Sequence, residues 1–398
     1  MAVMSGATMS EHISTDGSSS PDLSTLSIEP SPTPVKDIAN IAHHAHPPRI
    51  PPHRSHDPTN NLKRSDPFQF GSRYLEEGDD IYEFNAWDHV ETDDTYKEYA
   101  GIQYAKQRES PVSDFDKKRF NADPSKWWNL FYRNNTSNFF KNRKWLQQEF
   151  PVLGRVTMKD APPTTILEVG AGAGNTAFPI LAQNENLGLK IHACDFSKKA
   201  VELIRANEAY DENYIKADVW DVAATGPDPL PPGLEKESVD IVLMIFVFSA
   251  LGPSQWSHAL RNIYTLLKPG GEVLFRDYGR GDLAQVRFKK GRYMEENFYV
   301  RGDGTRVYFF EREELVELWS GWRDAGDGWT ESGENEVDAE EAEHVGSEGK
   351  GFEVVDVGVD RRLLVNRQRK LKMYRCWLQG RFRKKGRRLA SGREDDNE

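Results

Sequence analysis

The stretch Ile166-Leu167-Glu168-Val169-Gly170-Ala171-Gly172-Ala173-Gly174-Asn175 constrains this chain more than any other. Thr164 to Val169 reads as a buried strand, the alternate glycines as a turn, and about Thr176 as the start of a helix. Glycine there permits positive φ and lets backbone come within van der Waals contact of a ligand. A strand, glycine-rich turn and helix in that order opens a doubly wound α/β sheet, whose ligands sit outside the carboxyl ends of its strands.

The following residues repeat the alternation. Lys190 to Asp195 is a second strand, and the Ser197 hydroxyl is placed to cap a helix from Lys198 to Ala209. Tyr214 to Lys216 is a short strand, and Val239 to Phe248 is a nearly all-apolar run expected of a central parallel strand. Pro253 to Leu267 has helical spacing; Lys268-Pro269-Gly270-Gly271 stops that helix and leads into a strand from Glu272 to Tyr278. Asn297 to Arg301 and Arg306 to Phe310 form a hairpin around Asp303-Gly304, Glu313 to Trp322 a helix, and Phe352 to Val359 with Met373 to Phe382 a final strand pair. The fold class is α/β, a doubly wound, mostly parallel sheet with an inserted hairpin.

The spacing G-x-G-x-G differs from the G-x-G-x-x-G of dinucleotide-binding loops, because Asn175 stands where the last glycine would be. It favours S-adenosyl-L-methionine over NAD, the alternative being glycines that only pack helix on strand. Asp195 ends the second strand about 20 residues after the loop, where a carboxylate can accept from both ribose hydroxyls, unless it merely caps the next helix. Asp218 is placed for an adenine amino group with Val219 beside it, or is a solvated loop acid. Ile245 and Phe246 end the apolar strand and could wall the ligand or be plain core.

Composition bounds the rest. Of the 398 residues, 1–62 are rich in Ser, Pro, Thr and His without apolar period, as in a disordered tail. No secretory signal or transit peptide is expected there, since acids interrupt it and it lacks an apolar core. No run of about 18 apolar residues occurs, so no membrane helix is expected. Two cysteines, Cys194 and Cys376, cannot form a disulfide framework or a Cys-rich zinc site; no metal is expected, and a reducing, cytoplasmic setting fits. The net charge of -11 hides an asymmetry, with acid in Glu76 to Asp94 and Asp324 to Glu348 and base in Arg361 to Arg388. Residues 63–160 form an aromatic, charged region, 161–382 the sheet-bearing domain with an acidic loop at 323–350, and 383–398 a charged tail.

Absences narrow the chemistry. Methylation of exocyclic amines often uses an Asp/Asn-Pro-Pro-aromatic turn, but Ile245-Phe246-Val247-Phe248-Ser249 stands there. Methylation at pyrimidine C5 needs a cysteine near the loop, and both cysteines lie within strands. An acceptor with its own lone pair, such as N3 of cytosine, needs only orientation and stabilisation of the resulting cation. Asp277, in Phe275-Arg276-Asp277-Tyr278-Gly279, is the candidate carboxylate for that, with an ion pair to Arg276 or Arg280 as the alternative.

From about Asp66 to Phe310 the chain resembles the tRNA N3-methylcytidine methyltransferases, which modify position 32 of the anticodon loop. The resemblance rests on Phe70-Gly71-Ser72-Arg73, Asn85-Ala86-Trp87-Asp88, Trp127-Trp128-Asn129-Leu130-Phe131-Tyr132, Phe139-Phe140-Lys141-Asn142-Arg143-Lys144-Trp145-Leu146, Leu243 to Ala250, Phe275 to Gly279 and Glu296 to Arg301. Asn85 to Asp88 is closer to the branch acting on threonine tRNA than to the serine branch. The resemblance implies a class I, Rossmann-like methyltransferase fold. It also implies that Trp128 and Tyr132, one helical turn apart, contact S-adenosyl-L-methionine together with Gly170, Gly172, Asp195, Asp218, Val219 and Ile245.

It further implies that the N-terminal region and hairpin grip the tRNA anticodon stem-loop. Lys141, Arg143, Lys144, Arg287, Lys289, Lys290, Arg292, Arg301 and Arg306 among Phe139, Phe140, Trp145, Phe288, Tyr293, Phe298, Tyr299 and Tyr308 supply the phosphate-pairing and base-stacking groups such a surface needs. The expected substrate is threonine tRNA, with serine and arginine tRNAs as further candidates and a tRNA synthetase or other helper protein as a candidate partner. The acidic stretch and basic terminus could be lineage-specific surface, an autoinhibitory pair or extra tRNA contacts. The competing readings are a protein or small-molecule methyltransferase with the same cofactor domain, and a noncatalytic scaffold.

Overall fold

The computed structural model describes residues 73–75, 77–137, 139–323 and 351–386; the tail at 1–62 and the acidic stretch Asp324 to Glu348 lie outside these residues. In chain order come β1 (Ala86–Asp88), α1 (Asp94–Glu109), α2 (Asp114–Ala122), α3 (Pro124–Asn135), α4 (Leu146–Glu149), α5 (Pro151–Arg155), β2 (Thr164–Val169), α6 (Ala177–Leu181), β3 (Leu189–Asp195), α7 (Lys198–Arg205), β4 (Ile215–Val219) and β5 (Val239–Ile245). They are followed by α8 (Pro253–Leu266), β6 (Leu267–Tyr278), α9 (Leu283–Val286), β7 (Tyr293–Glu295), β8 (Phe298–Val300), β9 (Arg306–Tyr308), α10 (Arg312–Gly321), β10 (Phe352–Asn366) and β11 (Leu371–Lys384).

The main sheet has the order β1-β10-β11-β6-β5-β2-β3-β4. β6, β5, β2, β3 and β4 are parallel, whereas β11, β10 and β1 extend one edge antiparallel. The strand order reverses at β2, with β3 and β4 on one side and β5 and β6 on the other. In open α/β sheets of this order a ligand is expected outside the carboxyl ends of β2 and β5.

Strand periodicity divides the interior into two cores. Leu167 and Val169 of β2 and Val242 and Met244 of β5 pack on one face, and Ile166, Ile241, Leu243 and Ile245 on the other. Both faces are covered, so these strands are apolar almost throughout.

Three details depart from the sequence expectations. Lys268 to Gly271 does not precede the strand. β6 starts at Leu267, paired with Val239, and the register shifts before Glu272 pairs with Ile241, so the Pro-Gly-Gly is an outward bulge with Gly270 at φ 81. The hairpin gains a third strand, β7, whose Tyr293 pairs with Tyr299.

The last strand pair runs through Asp360 to Asn366, well past Val359, because its charges are neutralised in place. Arg362 meets Asp88 at 3.0 Å and Asp360 pairs with Arg276. Buried charge is tolerated only with such partners. Much of the basic terminus is consumed the same way: Arg381 and Arg383 both bind Glu272, Arg375 binds Asp282, and Lys384 binds Glu237.

Candidate functional site

The glycine turn is built as its sequence requires. Gly170, Gly172 and Gly174 have φ of 63, 59 and 80 degrees. A Cβ on Gly170 would come 2.4 Å from Val247 Cγ2, one on Gly172 2.5 Å from the Tyr132 hydroxyl, and one on Gly174 2.4 Å from the Phe178 ring. Strain and crowding both select glycine here. Asn175, the residue that breaks the dinucleotide pattern, donates from Nδ2 to Phe140 O and Asn142 Oδ1, each at 3.2 Å. It thus ties the Phe139–Arg143 segment to the turn.

Asp195 closes the other side. Its Oδ2 accepts from the Gly172 amide and its Oδ1 from the Ser197 amide, both at 2.8 Å. Burial pushes its carboxyl up to about 6 against the pull of those amides. Ser197 caps α7 as expected, accepting from the Ala200 amide. Asp218 lies inside β4 rather than after it, and Arg205 donates to its Oδ1 at 2.9 Å. The next residue, Val219, leaves 42% of its surface exposed at the end of the strand.

Helix α3 roofs this end. Pro124 fits its first turn and Asp123 caps it, accepting from the Lys126 amide. Phe131 and Tyr132 pack against Ala200 of α7, with Trp128 alongside and its ring 6.1 Å from that of Tyr132. Asn129 was not among the sequence candidates, yet its Oδ1 accepts from Ser197 Oγ at 2.9 Å and Lys199 N at 3.1 Å. It binds α3 to the start of α7. Its only sequence signal was membership of the Trp127-to-Tyr132 stretch, since polar residues carry no helical period.

At the ends of β5 and β6, Ile245 is buried and Phe246 adopts φ 60, donating its amide to Arg276 O. Left-handed backbone at an aromatic residue is strained and is held here by neighbouring structure. The Phe246 ring lies 5.1 Å from Tyr278, whose own face carries the Arg301 guanidinium at 5.6 Å. Asp277 pairs with neither arginine weighed as its alternative: Arg276 takes Asp360 and Gln379, and Arg280 takes Glu311 and Glu296. Asp277 is fully buried, accepting from the Ser249 and Tyr278 amides at 2.9 Å, and burial raises its carboxyl to about 6.

Neither thiol is available as a nucleophile. Burial pushes Cys194 upward and Cys376 up to about 12, so both stay protonated near neutrality.

Residues 167–273 match the family described as a methyltransferase domain. Over 322 residues the chain is 50% identical to a tRNA(Thr) (cytosine(32)-N(3))-methyltransferase of Saccharomyces cerevisiae, covering 81% of this chain and 46% of that one. A tRNA N(3)-methylcytidine methyltransferase of Schizosaccharomyces pombe is 45% identical, with 79% of this chain and 92% of that one aligned. The Drosophila melanogaster Mettl2 protein, of the same description, is 42% identical over 81% and 90%. The chain belongs to the tRNA N3-methylcytidine methyltransferase family. Its sheet is the Rossmann-like class I methyltransferase sheet with added antiparallel strands. The chain spans less than half of the budding-yeast relative's length.

The cations expected among the aromatics of this family member divide sharply. Lys141, Lys144, Arg287, Lys289 and Lys290 are exposed. Arg306 is not a surface group: it is buried, donating to Asn121 Oδ1, Ala250 O and Gln255 Oε1. Phe298, Tyr299 and Tyr308 are core, so they offer no open stacking face. Arg143 is held against the glycine turn, its amide donating to Asn175 O and its Nη1 to Thr176 Oγ1, both at 2.9 Å.

Proposed function

We propose that this protein transfers a methyl group from S-adenosyl-L-methionine to N3 of cytidine 32 in the anticodon loop of threonine tRNA, with serine and arginine tRNAs as further candidates. The observation that carries this reading is the crowding of Tyr132 onto Gly172, which joins α3 to a glycine turn completed by Asp195. The three relatives aligned over most of this chain are described as tRNA N3-methylcytidine or cytosine-N3 methyltransferases, and the budding-yeast one names tRNA(Thr) and position 32.

Gly170 and Gly172 admit the ligand to the backbone, Asp195 takes the ribose hydroxyls, and Asp218 takes the adenine amino group beside the exposed face of Val219. Ile245 walls the cleft, and Trp128 and Tyr132 close it against water. Bound there, the cofactor supplies a methyl carbon made electrophilic by its sulfonium. The N3 lone pair is unprotonated at neutral pH, so the chain needs no general base and contributes orientation above all. Asp277 acts through the Phe246–Ser249 turn, which its carboxylate holds, and is a positioning residue.

No helix among the described residues is long and apolar enough to cross a membrane. A cytoplasmic enzyme acting on tRNA agrees with that. Incubation of the protein with bulk tRNA and isotope-labelled cofactor, followed by nucleoside mass spectrometry, should yield labelled N3-methylcytidine. Label found only on protein would contradict the reading.

A further inference from the structure

One turn of the inserted hairpin touches two parts of the site that lie far apart in sequence. It runs from Arg301 to Thr305, between β8 and β9, and is held closed from within. The Arg301 amide donates to Thr305 O at 2.7 Å, and Asp303 Oδ1 accepts from both the Thr305 amide and its hydroxyl. On one side the Arg301 guanidinium lies over the Tyr278 ring, which in turn meets the Phe246 ring. On the other side Gly304 lies against α3: a Cβ there would stand 2.2 Å from Trp127 Cε3. Gly304 also has φ 86, so its backbone and its neighbour both require glycine.

Trp127 is seated by shape rather than by hydrogen bonding. Phe120 of α2 packs on its ring at 5.1 Å, and the cations of Arg119 and Lys126 each stand 5.8 Å from it. Its indole Nε1 is buried without an acceptor. A buried donor left unpaired costs free energy that an apolar ring in the same place would not, so plain core filling does not account for a tryptophan here. The next residue of the helix is Trp128, and one turn further is Tyr132, whose hydroxyl crowds Gly172 of the glycine turn. An α-helix is stiff, so a shift at Trp127 is carried to Tyr132, about 7.5 Å along the axis. Contacts packed this closely switch between discrete arrangements instead of deforming continuously.

We propose that Trp127 is a positioning residue that couples the two substrates: wedged against Gly304, it sets the place of Trp128 and Tyr132 over the cofactor according to how RNA holds the hairpin turn. This rests on the functional reading above, in which α3 roofs S-adenosylmethionine and the inserted strands meet tRNA. It adds the contact through which one site senses the other. The route from Tyr278 through Arg301, Gly304, Trp127 and Tyr132 to Gly172 is unbroken. Such a linkage is reciprocal, so bound tRNA tightens the cofactor by the factor with which bound cofactor tightens tRNA.

Calorimetry on the full chain tests this, with S-adenosylhomocysteine titrated alone and in the presence of saturating threonine tRNA transcript. In the native protein the RNA should tighten S-adenosylhomocysteine by at least about 5-fold, the lower end of typical coupling between sites. Trp127→Ala should bring that ratio close to 1, and Trp127→Phe, which keeps a smaller ring, should fall between. A merely structural role would lower the unfolding midpoint of the variants and leave the ratio at its native value, which would overturn the proposal. A native ratio of 1 or below would overturn it too. Should Trp127→Ala fail to fold, Trp127→Phe decides alone on the same criterion. Failure of the native protein to bind threonine tRNA or S-adenosylhomocysteine at all would instead overturn the functional reading itself.

Discussion

The hydroxyl of Tyr132 stands 2.5 Å from the point that a Cβ on Gly172 would occupy. Gly172→Ala therefore meets both that clash and a backbone φ of 59 degrees. We expect it to lower stability by about 1–3 kcal/mol and to weaken cofactor binding. Tyr132→Phe removes the clashing atom and leaves the nearest ring carbon at 3.4 Å, so the penalty should be smaller in that background, with the φ strain remaining. Thermal unfolding of the four proteins measures the coupling; strictly additive penalties would contradict the contact.

Asp195 both faces the ribose position and ties two elements together. Asp195→Ala leaves the buried Gly172 and Ser197 amides without acceptors and should destabilise the protein by about 1–3 kcal/mol as well as abolish cofactor binding. Asp195→Asn keeps one acceptor oxygen and should fold more stably than the alanine variant while still binding S-adenosylhomocysteine poorly. Calorimetry together with urea unfolding separates the two losses. Native affinity in the asparagine variant would remove the ribose role.

Three buried carboxyls should give the protein an inverted acid response. Burial raises Glu168 from 4.5 to about 7, and Asp195 and Asp277 from 3.8 to about 6. Between the ordinary and raised values the folded state holds a proton that the unfolded state has released, so stability from these groups falls as pH rises through that window. Above about 7 their contribution is flat. Glu168→Gln removes the group with the highest value, and its urea midpoint should decline less than that of the native protein between pH 5 and pH 7. Equal slopes would show that Glu168 does not titrate there.

Exposed and paired cations should behave differently. Lys289→Ala and Lys290→Ala remove charges from the surface beside the inserted strands, and each should lower tRNA affinity and reduce the salt slope by about 1. Arg381→Ala instead breaks the contact with Glu272, costing about 1 kcal/mol of stability with tRNA affinity unchanged. Filter binding across a salt series checks both. A steep loss of tRNA affinity in the Arg381 variant would mean that the basic terminus is a working interface.

Much of the site could be read from the chain because its chemistry is written in backbone demands. Gly170, Gly172 and Gly174 sit at positive φ, and Ser197 caps α7, as their residue types require. The apolar runs of β2 and β5 marked the centre of the sheet for the same reason. Long-range pairing was not legible. Asp88 counted only within the acidic stretch and Arg362 only within the basic one, but with Asp360 they neutralise one another inside β10 and β1, which distance in sequence conceals. Arg306 and Tyr308 looked like an RNA-facing cation and platform and are instead packed inward, since a residue's type does not say which face of a three-residue strand it takes. Asn129, and the packing of Trp127 on Gly304, emerged only once the helices were placed.

Mapping the methyl group on a defined RNA tests the assignment to N3 of cytidine 32. Threonine tRNA transcripts carrying C32 or U32 would be incubated with the full chain and S-adenosylmethionine, then cleaved into fragments and analysed by mass spectrometry. N3-methylcytidine should be confined to position 32 of the first transcript, with no methylation of the second. Methylation that persists in the U32 transcript, or that falls elsewhere in the C32 transcript, would contradict it.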